Sequence, residues 1–525
     1  MSTNINVRPY NNKEQLLFPP SVGDYIPKDH LSHVVDEAVD EIDLEPYYKK
    51  ISDVGNPPYH PALMIKIWFY GYATKVYSSR KIEEKTHTDV AFIYLAGMQK
   101  PDFKAISEFR RRNLTELKNS FVDILEICHR LGMIKLGEIS IDSKVMKANA
   151  NASKTYNEKE LIKEREEIEK AIQEYLDKAN QIDLEEDQKY GSDKRGNELP
   201  EDIRDKEHRL KKMKQVVEQL KQAREKLKET NKKKINLTDE DAQFQKGTGK
   251  IVPGYRAEIA VDSKEQVIIT NDVTNEQNDC PQLIPMIDKV LENVKEIAPD
   301  RFCEDNQQKE KINIIADAGY SSGNNLNELE KEQYKEKVEP YIPDTTGENE
   351  DHERGKGYDK NSPFHRSKFA YNKKENSFTC PAGKILHYVG KYMFHGVPYH
   401  IYENNIDCKS CPHYGKCTTG KKGRRISISE YQPLIDKMRQ KLSTQEGKKM
   451  YLIRKITAEP VLGNLSQNLG FIEFLLRGVQ KVKGEFSLMC SAHNLLKIAR
   501  FVRNLGRSLK ELLNNPELIP SLNTS

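Results

Sequence analysis

Hydrophobic positions recur at helical spacing through roughly the first 150 residues. In His30–Leu44, Leu31, Val34, Val35, Ala38, Val39 and Ile42 fall on one face, whereas His60–Ala73 is apolar on most sides, as a buried helix is. A further helix opens after Pro101 and runs toward Gly132. Its inner face is Phe109, Leu114, Leu117, Phe121, Ile124 and Leu125, and it carries Arg110, Arg111 and Arg112 together. At Ile139 the period changes: Ile139, Ile141 and Val145 predict a short strand with Asp142 near its end. GYRAEIAVDS and QVIITNDV flank a short turn and predict a hairpin, and a helix follows from about Pro281 to Ile297. The apolar run Ile312–Tyr320 predicts a buried strand ending at Asp317, with a helix near Asn324–Tyr334 and a strand over Val338–Pro343 after it. A hairpin followed by strands alternating with helices predicts a mixed α/β sheet.

Between the first strand and the hairpin the pattern is different. Leu161, Arg165, Ile168, Ile172, Tyr175, Ala179 and Ile182 step by alternating four and three, as do Leu210, Met213, Val217, Leu220, Arg224 and Leu227. Charged residues fill the positions between them, and the turn-rich YGSDKRGNELP joins the two arms. This predicts an antiparallel coiled-coil hairpin, read either as a solvated spacer or as a dimerisation or DNA-contacting arm.

Length and composition narrow the class. A chain of 525 residues is too long for one ordinary core, and 37% hydrophobic against 31% charged residues describes a polar but foldable protein. Lys and Arg number 84 and Asp and Glu 80, so the net charge of +4 does not announce a nucleic-acid binder; any basic surface must be local. No run approaches the ~20 apolar residues that cross a bilayer, and the N-terminus has no apolar signal core, which predicts a cytoplasmic protein with no membrane partner.

Several chemistries drop out. GTGK at Gly247–Lys250 has Phe244 where a P-loop needs its first glycine and Ile251 where it needs Ser or Thr. There is no GxGxxG after a strand, no GxSxG and no HExxH. What remains is acids at predicted strand ends, Asp142 and Asp317, and a third acid, Glu459, in MYLIRKITAEPVLGNLSQNLGF. Carboxylates converging from neighbouring elements suit hard divalent cations, two of which can drive phosphodiester displacement. Thr457 is expected to cap a helix, with Glu459 in its first turn and Pro460 where proline is tolerated. Taken singly, each acid is equally a turn, cap or helix-dipole residue.

Asp142 in IDSK, Asp317 in ADAGY, and Tyr451, Arg454 and Glu459 before PVLGNL together resemble the DDE transposases of bacterial insertion sequences. The similarity extends to Leu475–Ile498 and to Phe18–Asn113, including PDFKAISEFRRRN. The resemblance implies an α/β, RNase H-like catalytic domain in which Asp142, Asp317 and Glu459 bind Mg²⁺ or Mn²⁺. It implies cleavage of transposon ends and joining of the freed 3′-OH to target DNA. Tyr451 and Arg454 become DNA-end contacts, Arg110, Arg111 and Arg112 DNA contacts of a helical domain, and a homodimer or larger assembly on DNA is expected in a nucleoid-associated protein. The family carries a basic residue, usually Lys, seven positions after the Glu; here that position is Ser466, with Lys455 or Lys481 as substitutes. The rival readings are a metal-dependent nuclease and a catalytically attenuated or non-catalytic DNA-binding descendant.

The domains expected are a helical DNA-binding domain at 1–135, a catalytic domain begun at 136–153 and resumed at 237–345, the coiled-coil insertion at 154–236, a Cys-rich insertion at 346–430 and a C-terminal helical part at 431–525. In the Cys-rich insertion, Cys408-x2-Cys411-x5-Cys417 with Cys380 upstream has the spacing of a Zn²⁺ site, with His400 and His413 as competing ligands. Unligated thiols are the alternative. Cys128, Cys280, Cys303 and Cys490 are isolated and read as packing or surface residues.

Overall fold

The computed structural model describes residues 21–51, 57–190, 201–230, 232–246, 251–302, 310–344, 362–394 and 396–519. Phe18, the side chains of Ala179 and Ile182, the turn-rich stretch after Tyr190, Gly247–Lys250 and Cys303 lie outside the described residues. The chain divides into two units, Met1–Leu131 with Ser491–Ser525, and Gly132–Cys490.

The first unit is helical, as its periodicity predicts. Helix α1 (Leu31–Asp40) buries Val34, Val35, Ala38 and Val39. Helix α2 (Pro61–Ala73) is enclosed on nearly all sides, with Trp68, Phe69 and Tyr72 fully buried. α3 (Ser79–Thr88) and α4 (Val90–Leu95) follow, the latter capped by the Asp89 carboxylate. The helix expected after Pro101 is two: α5 (Phe103–Arg112), capped by Asp102, and α6 (Leu114–Arg130). Asn113 makes the break, because its side-chain amide donates to the Phe109 carbonyl at 2.9 Å and its backbone leaves the helical region.

The second unit is built on a mixed sheet. β1 (Glu138–Lys147) leads into two long helices, α7 (Glu158–Tyr190) and α8 (Glu201–Glu229), which share a small core of Leu161, Leu220, Ala223 and Leu227. Then come β2 (Gln243–Lys246), β3 (Ile251–Asp262), β4 (Ile268–Thr274), α9 (Leu283–Ile297), β5 (Ile312–Ala316), α10 (Gly323–Leu329) and β6 (Val338–Tyr341). The strand order is β2-β3-β1-β5-β6, with β4 also paired to β3. β1 runs antiparallel to β3 and parallel to β5, and β5 runs parallel to β6. This bears out the mixed α/β sheet and the hairpin. β1 is not the short strand expected, however. Continuous pairing with β3 from Ile139↔Asp262 to Lys147↔Gly254 extends it, so Asp142 lies in mid-strand rather than near an end.

A second sheet, wholly antiparallel, follows: β7 (Ala370–Asn372), β8 (Ser377–Thr379), β9 (Ile385–Phe394), β10 (Val397–Glu403) and β11 (Arg425–Ser429), paired in sequence order. Phe369, Phe378, Leu386, Tyr402 and Ile426 form its core. The chain closes with α11 (Gln432–Ser443), α12 (Gln445–Gly463), α13 (Val479–Leu505) and α14 (Leu509–Asn514). The unit boundary falls within α13, between Cys490 and Ser491. None of the described helices is long and apolar enough to cross a membrane.

α12 corrects the expected helix start at Thr457. Its N-cap is Thr444, whose hydroxyl accepts from the Gly447 N–H, and Thr457 is buried in mid-helix with its hydroxyl bonded to the Ile453 carbonyl at 2.7 Å. Pro460 therefore sits inside a helix, where it has no N–H to offer the Ile456 carbonyl. The Gln266 side chain supplies that missing donor at 2.7 Å, which lets the helix run on to Gly463. Glu459 is thus near the end of α12, not at its beginning.

Candidate active site

The parallel register sets the geometry. Ile141 of β1 stands opposite Ala316 of β5, so the next residues along the two strands, Asp142 and Asp317, emerge side by side. Asp317 ends its strand as expected and caps the short turn after it, accepting from the Gly319 N–H at 2.7 Å. α12 packs against β1 and brings Arg454 and Glu459. One guanidinium spans two acids: Arg454 Nη1 lies 3.0 Å from Asp142 Oδ2, and Nη2 lies 2.7 Å from Glu459 Oε1. Tyr451 flanks the same guanidinium, its ring centroid 6.0 Å from the Arg454 Cζ. The three acids of the motif therefore come together, and Arg454 faces into them.

Burial pushes the Asp142 carboxyl up to about 6. Arg454 opposes that rise, while Asp317 and Glu459 add to it. Two acids that the sequence did not single out join the cluster. Asp279 Oδ1 accepts from Ser143 Oγ and from Arg256 Nη1, both at 2.6 Å. A side chain at Gly319 would sit 2.9 Å from Asp279 Oδ2 and 2.9 Å from Asp317 Oδ1, so the two carboxylates face each other across that glycine. Glu258, opposite Ser143 on β3, is fully buried; Tyr320 donates to its Oε2, and its Oε1 has no hydrogen-bond partner. Burial, reinforced by Asp279 and Asp142, pushes Glu258 up to about 8. Asp279 sits in a polar loop without periodicity and Glu258 within an apolar strand pattern. Neither position carries a sequence signal of its own; Glu258 stands out only as an acid within an otherwise apolar strand.

Ser466 is also explained by its surroundings. Lys144, two residues beyond Asp142 on β1, donates to Ser466 Oγ at 2.6 Å, so an ammonium reaches this point from the strand rather than from the helix. Ser466 itself is buried in a π-helical turn and bonds back to the Leu462 carbonyl at 2.8 Å.

Elsewhere the predicted residues separate. Arg110 is buried, with its guanidinium 4.2 Å from the Trp68 ring and Nη1 donating to the Tyr72 hydroxyl at 3.2 Å. Three consecutive helical residues cannot share a face, and Arg110 takes the inward one. Arg111 and Arg112 are exposed and both pair with Glu108, at 2.6 and 2.5 Å. Cys380, Cys408, Cys411 and Cys417 line one small cavity, with His413 beside them. His400 is not there: it lies on β10 against Tyr388 and lines a different pocket with Tyr371 and Tyr402. Among the described residues, no three or more His, Cys, Asp or Glu side chains are arranged to hold a metal ion as they stand. At the acidic centre Arg454 stands between Asp142 and Glu459. The donors nonetheless fit a hard cation, since Asp142, Asp317 and Glu459 offer only carboxylate oxygens.

Residues 20–112 match the family model described as a transposase domain (DUF772), and residues 379–499 match the transposase DDE domain. The second match contains Tyr451, Arg454, Glu459 and the four clustered cysteines; neither reaches Asp142 or Asp317. No curated protein and no solved structure matches the chain. Both matches are to transposase domains, and together they support a DDE transposase of the insertion-sequence type.

Proposed function

We propose that the second unit is an RNase H-like catalytic domain that cuts transposon ends and joins them to target DNA by metal-dependent phosphoryl transfer. The observation that carries this reading is the Asp142–Arg454–Glu459 bridge beside Asp317, which gathers residues from two parallel strands and a late helix at one point. Asp142, Asp317 and Glu459 would hold Mg²⁺ or Mn²⁺. Bound there, a divalent ion activates the attacking oxygen and stabilises the leaving one. Arg454 acts as the resident cation of the site, screening two acids from each other, and with Tyr451 would contact the DNA end. Asp279, held by Ser143 and Arg256, fixes the approach of the Asp317 turn to β1. Lys144 supplies the phosphate-facing ammonium that the family carries at the Ser466 position, which favours an active enzyme over an attenuated one. In the first unit, Arg111 and Arg112 are the DNA contacts, and Arg110 supports their helix from within.

The test is product analysis on DNA carrying the ends that flank the gene. A transposase yields joined end–target products; a nuclease yields cuts without joining, and a non-catalytic binder yields neither. Cuts without joined product under Mg²⁺ and Mn²⁺ would overturn the proposal.

A further inference from the structure

Four cysteines and a buried arginine meet beside the second sheet. Cys380 follows β8, Cys408, Cys411 and Cys417 lie between β10 and β11, and all four line a cavity of about 20 Å³ together with Arg424. None is in a disulfide. The backbone around them is arranged to donate to sulfur. Lys384 N–H donates to Cys380 Sγ at 3.2 Å, in a turn closed by Cys380 N–H to Lys384 O and Gly383 N–H to Cys380 O, both 2.8 Å, with Gly383 at φ +74°. Arg424 N–H donates to the Cys408 sulfur. Gly423, also at φ +74°, passes so close that a Cβ there would sit 2.7 Å from Cys408 Cβ. Such donors stabilise negative sulfur far more than a neutral thiol, and they fix the direction of a ligand's lone pairs. His400 lines the other pocket, whereas His413 lines this cavity too, with its ring packed on Phe364 at 5.0 Å.

We propose that Cys380, Cys408, Cys411 and Cys417 form a four-thiolate structural site for one Zn²⁺. Binding displaces four protons and leaves a net charge of −2 on the site, half of which the buried Arg424 offsets. The four thiols line the cavity without meeting at one point, and binding would draw them onto the ion. Closed on zinc, the site ties the loop between β10 and β11 to the turn after β8. It also fixes the base of the exposed Lys421–Lys422 turn. This reading is independent of the acidic centre and stands or falls without it.

The test uses the full chain, expressed with zinc supplementation and purified without chelator. Elemental analysis should find about one zinc per chain. Cys408→Ser and Cys417→Ser should each fall below about a tenth of that, while Cys280→Ser keeps it and Cys411→His, which preserves a ligand, retains most of it. Should the serine variants fail to fold, cobalt loading of the native chain decides: thiolate-bound tetrahedral cobalt absorbs strongly in the visible. Zinc below about 0.1 per chain with no such cobalt spectrum would overturn the proposal. So would zinc left unchanged in both serine variants.

Discussion

The two sheets of the second unit gather reactive side chains by opposite means. In the β2-β3-β1-β5-β6 sheet the acids are distant in sequence, and strand register brings them together within an apolar interior where Ile139, Ile141, Ile259, Ile314 and Ala316 are fully buried. In the β7–β11 sheet each strand pairs with its sequence neighbour, and the turn after β8 meets the loop between β10 and β11 to gather the cysteines beside a core of Phe369, Phe378, Leu386, Tyr402 and Ile426. Register in the first sheet is held by packing on both faces, since consecutive residues such as Ile259, Ala260 and Val261, or Ile314, Ile315 and Ala316, are all buried. The second sheet leaves Val389 and Met393 exposed and depends on local turns. The first can therefore tolerate crowded like charges; the second gains most from a cross-link.

The largest effect should come from the carboxylates. Asp142→Asn, Asp317→Asn or Glu459→Gln should each lower end cleavage and joining by about 10³-fold or more, with double variants little worse than single ones. Thermal unfolding of these variants should stay close to the parent, since each removes charge from a repulsive cluster. A variant with near-parental joining would remove its residue from the reaction. Leu386→Ala probes the other sheet. Leu386 is fully buried among Phe378 and Tyr402, and its truncation should cost about 2–5 kcal/mol. Amide exchange should rise across 370–429 while β1 and β5 stay protected; equal loss in both sheets would show that they unfold as one.

Acidity separates the sheets again. The Glu258 carboxyl is raised from 4.5 to about 8 on folding, so the folded state holds its proton more tightly than the unfolded state does. Its contribution to stability is complete below about pH 4.5 and is lost as the pH rises toward about 8, a change on the order of a few kcal/mol. Glu258→Gln should flatten this part of the stability–pH curve; an unchanged slope would assign the dependence elsewhere.

Lys144→Ala should weaken end binding and joining by roughly tenfold, the loss of one phosphate-facing charge, and Ser466→Lys in that background should restore part of it. No change in either variant would leave Ser466 uncompensated. The smallest effect belongs to the first unit. Replacing Arg111 and Arg112 with Ala should reduce the salt dependence of DNA binding by about one to two in slope without altering thermal stability. Arg110→Ala, by contrast, should destabilise the unit, because it empties the space over Trp68.

Much of this was legible in the residues. Helical period marked α1 and α2, and alternation marked the β3–β4 hairpin. The motif around Asp142, Asp317 and Glu459 pointed to residues that the fold brings together, and cysteine spacing marked the set that lines one cavity. Period, alternation and cysteine spacing are signals of local pattern, each carried by a few neighbouring side chains, whereas the acidic set was legible only through the resemblance. The tertiary structure decided the rest. Asp142 lies in mid-strand because β3 pairs along the whole of β1, and α12 runs through Pro460 because Gln266, nearly two hundred residues earlier, supplies the missing donor. Arg110 turns inward while Arg111 does not, since Trp68 offers one of them an aromatic face. Lys144 stands at Ser466, and Asp279 faces Asp317, through contacts between segments that no sequence period relates. Pattern along the chain fixes which face a residue takes; what it meets there depends on long-range packing, where burial and unlike charge choose the partner.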